Sequence, residues 1–254
     1  MQTSVETPEI QAPDGEMPAL LSLPATNHPP SPGVLVVMDA FGLSDHVRGV
    51  ARRLAAAGYA ALAPDLYYRE RAGERAGGGG AIPYAEPDRA ADMVMRTIAL
   101  SGAPEERKKD ERVLGDLRAA LTALRADARV DASRLGVLGL AMGGRLAFLL
   151  SCREPGAFHA VVSFYGARIV PILEESRSLE APLLLLFGEK DPGIPLPQVD
   201  RIRAELEHRE KTHEIEVYPG ASTGFLCEER TTFRAEAAAA AWDRALGWLG
   251  RYLG

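Results

Sequence analysis

The sequence has few cysteines, and its net charge is not that of a nucleic-acid-binding protein. It contains two cysteines, Cys152 and Cys227, without the spacing of a metal site, so we expect free thiols, no metal and no other cofactor. A formal net charge of -6 argues against nucleic acid or an anionic membrane as the main partner. These absences favour a small molecule as the partner of this protein.

The sequence also lacks membrane and export signals. No apolar run approaches the roughly 20 residues that a bilayer-spanning helix needs. The first residues, Met1 to Glu6, do not show the basic and then apolar order of a secretion signal. We therefore expect a cytoplasmic protein without membrane contact, present as a monomer or a homodimer.

Apolar runs typical of buried strands alternate with segments of helical periodicity. The predicted strands are 34–38, 59–63, 135–140, 160–164, 183–187 and 215–218, and the predicted helices are 47–57, 112–125, 142–152, 196–206 and a last one through Leu249. A turn signal at Pro13 to Gly15 predicts an edge hairpin within residues 6–24. The alternation predicts an α/β fold, with a doubly wound, mostly parallel sheet and helices on both faces. Its 254 residues suit one domain, 1–254.

The periodic pattern is lost between about residues 67 and 104. This segment contains charged residues, a run of four glycines at 77–80 and several prolines. A segment this long without regular structure is typical of a lid or binding segment, or of a disordered loop. Both interpretations stay open from the sequence.

The most informative motif is the junction between the strand 135–140 and the helix that follows it. Gly139 and Gly143 flank Ala141, so the backbone can turn sharply and lift the central side chain into a cleft. At such an elbow the central residue is normally a nucleophile. Alanine has no lone pair with which to attack and no proton to donate.

Five segments resemble the dienelactone hydrolase family of the α/β-hydrolase fold. They are VVMDAFG at 36–42, GYAALAPDLY at 58–67, GLAMGG at 139–144, FGEKDPGIP at 187–195 and VYPGASTGF at 217–225. Their order and spacing extend the resemblance over most of the chain.

The resemblance implies a catalytic triad of which one member is present. By position, Ala141 replaces the family's cysteine or serine, Thr223 replaces its histidine, and Asp191 matches its acid. A threonine hydroxyl cannot act as a base near neutral pH, and an alanine cannot form an acyl intermediate. We therefore expect no ester hydrolysis by the family mechanism. Without a histidine partner, Asp191 has either a catalytic role or the structural role of capping the turn before Pro192.

The resemblance also implies an oxyanion hole and an acid beside it. The backbone N–H groups of Ala40 and Met142 would form the hole, and these groups survive any change of side chain. Asp39 matches the family's acidic residue near the nucleophile and is a candidate general acid or base. A local hydrogen bond within its own loop explains Asp39 equally well.

Other residues are candidates for substrate contact because the resemblance places them near the cleft or in the lid-like segment. Ordinary packing, solvation or local turn hydrogen bonds are the alternative explanation for each of them. The candidates are Phe41, Tyr67, Tyr84, Arg89, Tyr165 and Ser222, with Arg69 beside them.

Three functions fit this pattern. The first is a non-hydrolytic enzyme that cyclises, isomerises or eliminates a small carbonyl, lactone or polyketide-like compound through the oxyanion hole and Asp39. The second is a protein that binds or senses a small molecule without changing it. The third is an ester or lactone hydrolase whose nucleophile has been changed to alanine, which leaves Thr223 unexplained.

Overall fold

A computed structural model of the chain describes residues 3–25, 30–71 and 107–254. The chain divides into two compact units, Met1–Leu135 and Gly136–Gly254. The predicted single domain 1–254 stays a prediction. Most of the predicted lid-like segment, with Tyr84 and Arg89, lies outside the described residues.

The first unit contains a mixed sheet with helices packed against it. Its strands are β1 (Thr3–Glu6), β2 (Glu9–Ala12), β3 (Gly15–Pro24), β4 (Ser31–Val37) and β5 (Ala60–Pro64). Their order is β1-β3-β5-β4, with β2 also paired to β3, and only the β4–β5 pair is parallel among these described pairings. The helices are α1 (Asp45–Ala56), which packs on β3 and β5, and α2 (Arg107–Ala126), which packs on β2 and β4.

Local sequence explains the elements of the first unit. The hairpin β2–β3 turns at Gly15, whose φ of 136° lies in the region that favours glycine. Ser44 caps α1 by accepting a hydrogen bond from the Val47 N–H at 3.4 Å. The apolar face of α1, which includes Val47, Val50 and Leu54, is buried. The predicted hairpin is confirmed, and the helix predicted at 47–57 is observed at Asp45–Ala56.

The second unit contains a parallel sheet. The strand β6 (Val130–Leu140) enters it from the first unit and is followed by β7 (Ala160–Phe164), β8 (Leu183–Gly188) and β9 (His213–Tyr218), paired in that order. The helices are α3 (Met142–Arg153), α4 (Leu196–His208) and α5 (Ala235–Leu253), with α3 and α5 packed on β7. Because the four strands are parallel, their carboxyl ends lie at one edge, where ligands bind in such sheets.

The chain has an α/β fold, as the alternation of apolar runs predicts. β7 and β8 are buried at every position, which is why the sequence shows them as continuous apolar runs. Within the described residues, no helix combines the length and the apolar character needed to cross a bilayer. The same part of the chain contains no group of three or more His, Cys, Asp or Glu side chains arranged to hold a metal.

Candidate active site

The elbow between β6 and α3 keeps the strained backbone of a nucleophile position. Ala141 has φ 51° and ψ -110°, a conformation that residues with a Cβ rarely adopt. Its N–H donates to the Phe164 carbonyl at 3.0 Å, and its own carbonyl accepts from the Gly144 and Arg145 N–H groups. Such strain persists only when the surrounding structure enforces it, and it concentrates at functional sites. The elbow is therefore fully formed around a side chain that cannot attack.

Glycines make this tight turn possible. A Cβ on Gly139 would lie 2.0 Å from the Gly143 carbonyl oxygen. A Cβ on Gly144 would lie 2.6 Å from Ser163 Oγ and 3.0 Å from the Gly166 Cα. The strand end, the elbow and the first turn of α3 thus approach each other more closely than any other residue type allows.

The first amide of α3 is a hydrogen-bond donor at the elbow. Met142 begins the helix directly after Ala141, and the first N–H groups of a helix have no acceptor within it. The positive end of the helix dipole lies at the same place. An oxygen that gains negative charge here would be stabilised, as the oxyanion-hole prediction for Met142 requires.

The loops that carry Asp191 and Thr223 are held together by their backbones. The Lys190 N–H donates to the Ala221 carbonyl at 2.7 Å, and a Cβ on Gly188 would lie 2.6 Å from that same oxygen. The structure brings the predicted acid and the residue at the histidine position into contact, since the Thr223 hydroxyl acts on the Asp191 carboxylate and lowers its pKa. Asp191 and Thr223 thus lie next to each other, and the threonine supplies no base.

Asp191 is buried and only partly hydrogen-bonded. Its exposed fraction is 4%, and its Oδ1 accepts the Gly193 N–H at 2.8 Å. No donor among the described residues completes a hydrogen bond of standard geometry to its Oδ2. Burial raises the pKa of Asp191 above its ordinary value, and the Gly193 and Ile194 N–H groups, the nearby Thr223 hydroxyl and the charge of Arg230 oppose that rise.

We expect Asp191→Asn to stabilise the protein at neutral pH. Because the folded-state pKa of Asp191 is raised, its contribution to stability is fully present below the unfolded pKa and is lost as pH rises through the folded pKa. The gain from Asn should therefore be largest near pH 7 and should shrink as pH falls toward 3.8, the ordinary pKa of an aspartate. Urea unfolding of both proteins across this pH range measures the gain in the free energy of unfolding. A gain independent of pH would contradict the assignment.

An aromatic cluster lies beside the Thr223 loop. Tyr165 has φ 39° and is 2% exposed, and its ring packs edge-on against Phe225 with centroids 5.4 Å apart. Phe225 in turn contacts Tyr218 at 5.3 Å. Tyr165 follows β7, Tyr218 is the last residue of β9 and Phe225 follows it, so the rings lie at the carboxyl edge of the sheet. Substrate contact by Tyr165, and by the half-buried Ser222, stays a prediction.

In the first unit, the predicted acid Asp39 lies in a turn that it partly holds itself. Asp39 is 5% exposed, and its Oδ1 accepts the Phe41 N–H at 2.9 Å, the local hydrogen bond that the sequence left as an alternative. The hydroxyl of the buried Tyr67 donates to the Ala40 carbonyl at 2.9 Å. Tyr67 therefore positions the turn that presents Asp39 and the Ala40 amide. Direct substrate contact by Phe41 or Tyr67 stays a prediction.

Two charged groups near predicted residues were not found from the sequence. Arg230 packs against Gly224, where a Cβ would lie 2.6 Å from its Nη1, and its charge lowers the pKa of Asp191. Asp116, on α2, is fully buried and binds both Nη atoms of Arg69, at 2.5 and 2.8 Å. In the sequence, one feature could have indicated a role for Asp116: an acidic residue at a core position of an amphipathic helix.

The two cysteines are buried and do not form a disulfide with each other. Burial raises the pKa of the Cys152 thiol to about 12, with a smaller contribution from the charge of Glu175. A thiol with so high a pKa is a poor nucleophile at neutral pH. Cys152 therefore has no place in the chemistry of the elbow.

The geometry of the elbow and its partner loops agrees with comparisons to known proteins. The sequence profile of the dienelactone hydrolase family matches residues 17–253. The chain belongs to the dienelactone hydrolase family. A relative from Methylorubrum extorquens, provisionally named a carboxymethylenebutenolidase, is 32% identical over 96% of this chain and 80% of its own. One from Escherichia coli K12, with the same provisional name, is 32% identical over 99% of this chain and 92% of its own.

Solved structures show the same family and fold. A provisionally named dienelactone hydrolase from Klebsiella pneumoniae superposes with a TM-score of 0.83 at 30% identity, over 99% of this chain and 100% of that one. A dienelactone hydrolase-like promiscuous phosphotriesterase from metagenomic libraries superposes with a TM-score of 0.81 at 22% identity, covering both chains fully. The second likeness shows the fold alone. The α/β-hydrolase fold predicted from the five family segments is confirmed.

Proposed function

We propose that this dienelactone hydrolase family protein binds a small carbonyl or lactone compound at the elbow and converts it without forming a covalent intermediate. The observation that carries the proposal is the strained backbone of Ala141, kept at φ 51° around a side chain that has no nucleophilic atom. A fold that has lost the need for its elbow has no reason to retain this strain. The elbow therefore still positions a ligand.

The retained groups suit stabilisation of a developing negative charge. The Met142 amide lies at the start of α3, and by resemblance the Ala40 amide has the same role. Such donors favour enolate-like transition states as well as tetrahedral ones, so cyclisation, isomerisation and elimination all fit. Asp39 is the proposed proton acceptor or donor, and its hydrogen bond from Phe41 holds the carboxylate in a fixed orientation.

The names of the relatives favour hydrolysis, and this chain departs from it at two positions. The relatives are provisionally named carboxymethylenebutenolidases, and the family is named for dienelactone hydrolases. In this chain Ala141 and Thr223 remove both the group that attacks and the group that activates it. We therefore propose that this chain shares the substrate class of its relatives, a small carbonyl or lactone compound, but not the covalent step.

Replacement of Asp39 by asparagine tests the proton-transfer role. We expect turnover of a panel of lactone, quinone and polyketide-like compounds to fall by about 100-fold or more, because general acid-base catalysis contributes that much. Asparagine keeps the acceptor oxygen for the Phe41 N–H, so the turn should survive. The turnover of both proteins is measured as product formation, followed by liquid chromatography and mass spectrometry. Equal rates for the two proteins would remove Asp39 from the mechanism.

The absence of a covalent step is tested on the intact protein. After incubation with a reactive lactone, the mass of the wild-type protein should show no acyl adduct in the elbow peptide that contains Ala141. An Ala141→Cys variant, which returns a thiol to the elbow, is the matched positive control. An ester or thioester adduct at the elbow of the unaltered chain would refute the proposal.

A further inference from the structure

The carboxylate of Asp191 has an oxygen that lacks a donor. Oδ2 is buried, the whole residue is 4% exposed, and the described residues complete no standard hydrogen bond to this atom. A buried acceptor without a donor costs about 1–3 kcal/mol, and more when it is charged. Native proteins seldom leave such a group unpaired, so each case requires an explanation.

The surroundings hold the carboxylate through one of its two oxygens. Oδ1 is bound by the Gly193 N–H, and the backbone carbonyl of Asp191 accepts the Ile194 N–H at 3.2 Å. The Thr223 side chain is short and half-buried, and its hydroxyl lies close enough to lower the pKa of Asp191. Arg230, packed against Gly224, acts on Asp191 through its charge, and neither side chain completes a hydrogen bond to Oδ2. A donor on a ligand would complete the hydrogen bonding of this carboxylate.

The unpaired oxygen lies at the same sheet edge as the elbow. β6, β7 and β8 are adjacent and parallel, and the chain reaches Ala141 after β6 and Asp191 after β8. Neighbouring strands are about 4.8 Å apart, so two strand spacings separate these loops by roughly 10 Å. A small molecule of a few rings spans that distance.

We propose that the ligand of this protein carries an N–H group, as in an imidazole, amidine or amide, that donates a hydrogen bond to Asp191 Oδ2. This inference rests on the proposed function, since it adds a nitrogen donor to the small carbonyl compound bound at the elbow. The ligand itself then occupies the place beside Asp191 where the protein has only Thr223. Asp191 orients the ligand and takes no part in bond making.

Binding of imidazole, measured by titration calorimetry at a pH where imidazole is neutral, tests the inference. Neutral imidazole has one N–H, whereas 1-methylimidazole has the same ring without a donor. Because a hydrogen bond to a charged group contributes about 1.5–3 kcal/mol, we expect the wild-type protein to bind imidazole at least tenfold more tightly than 1-methylimidazole. Equal affinity for the two probes would overturn the inference and requires no variant.

Two variants locate the binding. Asp191→Asn removes the charged acceptor, and Thr223→His places an imidazole of the protein itself beside Asp191. Each should weaken imidazole binding at least tenfold, while Glu228→Gln, which removes an exposed charge a few residues after Thr223, should leave it unchanged. Retained binding in Asp191→Asn would overturn the inference. If the protein converts a carbonyl compound but fails the imidazole test, the inference fails and the proposed function stands. An acyl adduct at the elbow would refute the proposed function without deciding the imidazole test.

Discussion

Replacement of Gly139 by alanine is expected to prevent stable folding of the chain. The new Cβ would lie 2.0 Å from the Gly143 carbonyl oxygen and 2.6 Å from the Gly144 nitrogen, and both are backbone atoms. Neither can move without breaking the hydrogen bond from the Gly144 N–H to the Ala141 carbonyl, which forms the elbow. We expect a loss of more than about 4 kcal/mol in the free energy of unfolding, at the upper end of single substitutions.

The matched control is the same change at a helical glycine with free space around it. Gly49 lies inside α1, and a Cβ there would meet nothing within 4 Å. Gly49→Ala should therefore raise the free energy of unfolding by up to about 1 kcal/mol, the difference in helix propensity. Urea unfolding of both variants measures the contrast. A Gly139→Ala protein as stable as the wild type would show that the elbow is not the tight turn described above.

Removal of the Arg69 guanidinium is expected to destabilise the first unit strongly. Arg69 binds both oxygens of Asp116, whose side chain is fully buried, and the Tyr68 hydroxyl donates to Oδ1 of the same carboxylate at 3.1 Å. Arg69→Met keeps most of the apolar volume but leaves a buried charge without its partner. Breaking such a pair costs about 3–5 kcal/mol.

Two further variants test whether the loss of stability comes from the buried charge or from the loss of any ion pair. Arg112 also binds a carboxylate, that of Asp14, but both side chains are exposed, so Arg112→Ala should cost at most about 1 kcal/mol. The double variant Arg69→Met, Asp116→Asn removes the buried charge and keeps an acceptor for Tyr68, so it should recover most of the loss. Chemical denaturation of the four proteins measures these differences. Equal costs for Arg69→Met and Arg112→Ala would contradict the structure.

The Arg69 contacts also bear on substrate recognition. The resemblance made Arg69 one of the arginines that could bind an acidic substrate. Its Nη atoms bind Asp116 and its Nε donates to Asp14 at 2.6 Å, while its guanidinium lies 4.5 Å from the centre of the Tyr68 ring. These contacts give Arg69 a structural role in fixing the chain just after Tyr67. Tyr67 in turn holds the turn of Asp39 and Ala40.

The sequence by itself determined the fold class and the family. Continuous apolar runs such as Leu183 to Phe187 predicted buried parallel strands, since burial on both faces removes the alternation of polar residues. Gly139 and Gly143 predicted the elbow because only glycine allows so close a turn. That Ala141 and Thr223 stand at the family's nucleophile and histidine positions stays a prediction from the order of the residues.

Only the tertiary structure decided which polar atoms are paired and which are not. The unpaired Oδ2 of Asp191, the packing of Arg230 against Gly224 and the buried pair of Arg69 with Asp116 join residues that are distant in the chain. Hydrogen bonds and desolvation depend on positions within a fraction of an ångström, and residue order does not specify these for separate loops. The pattern of residues therefore predicts Asp191 as the acid that matches the family's acid. Its burial and the missing donor at Oδ2 follow from how the loops after β8 and β9 pack.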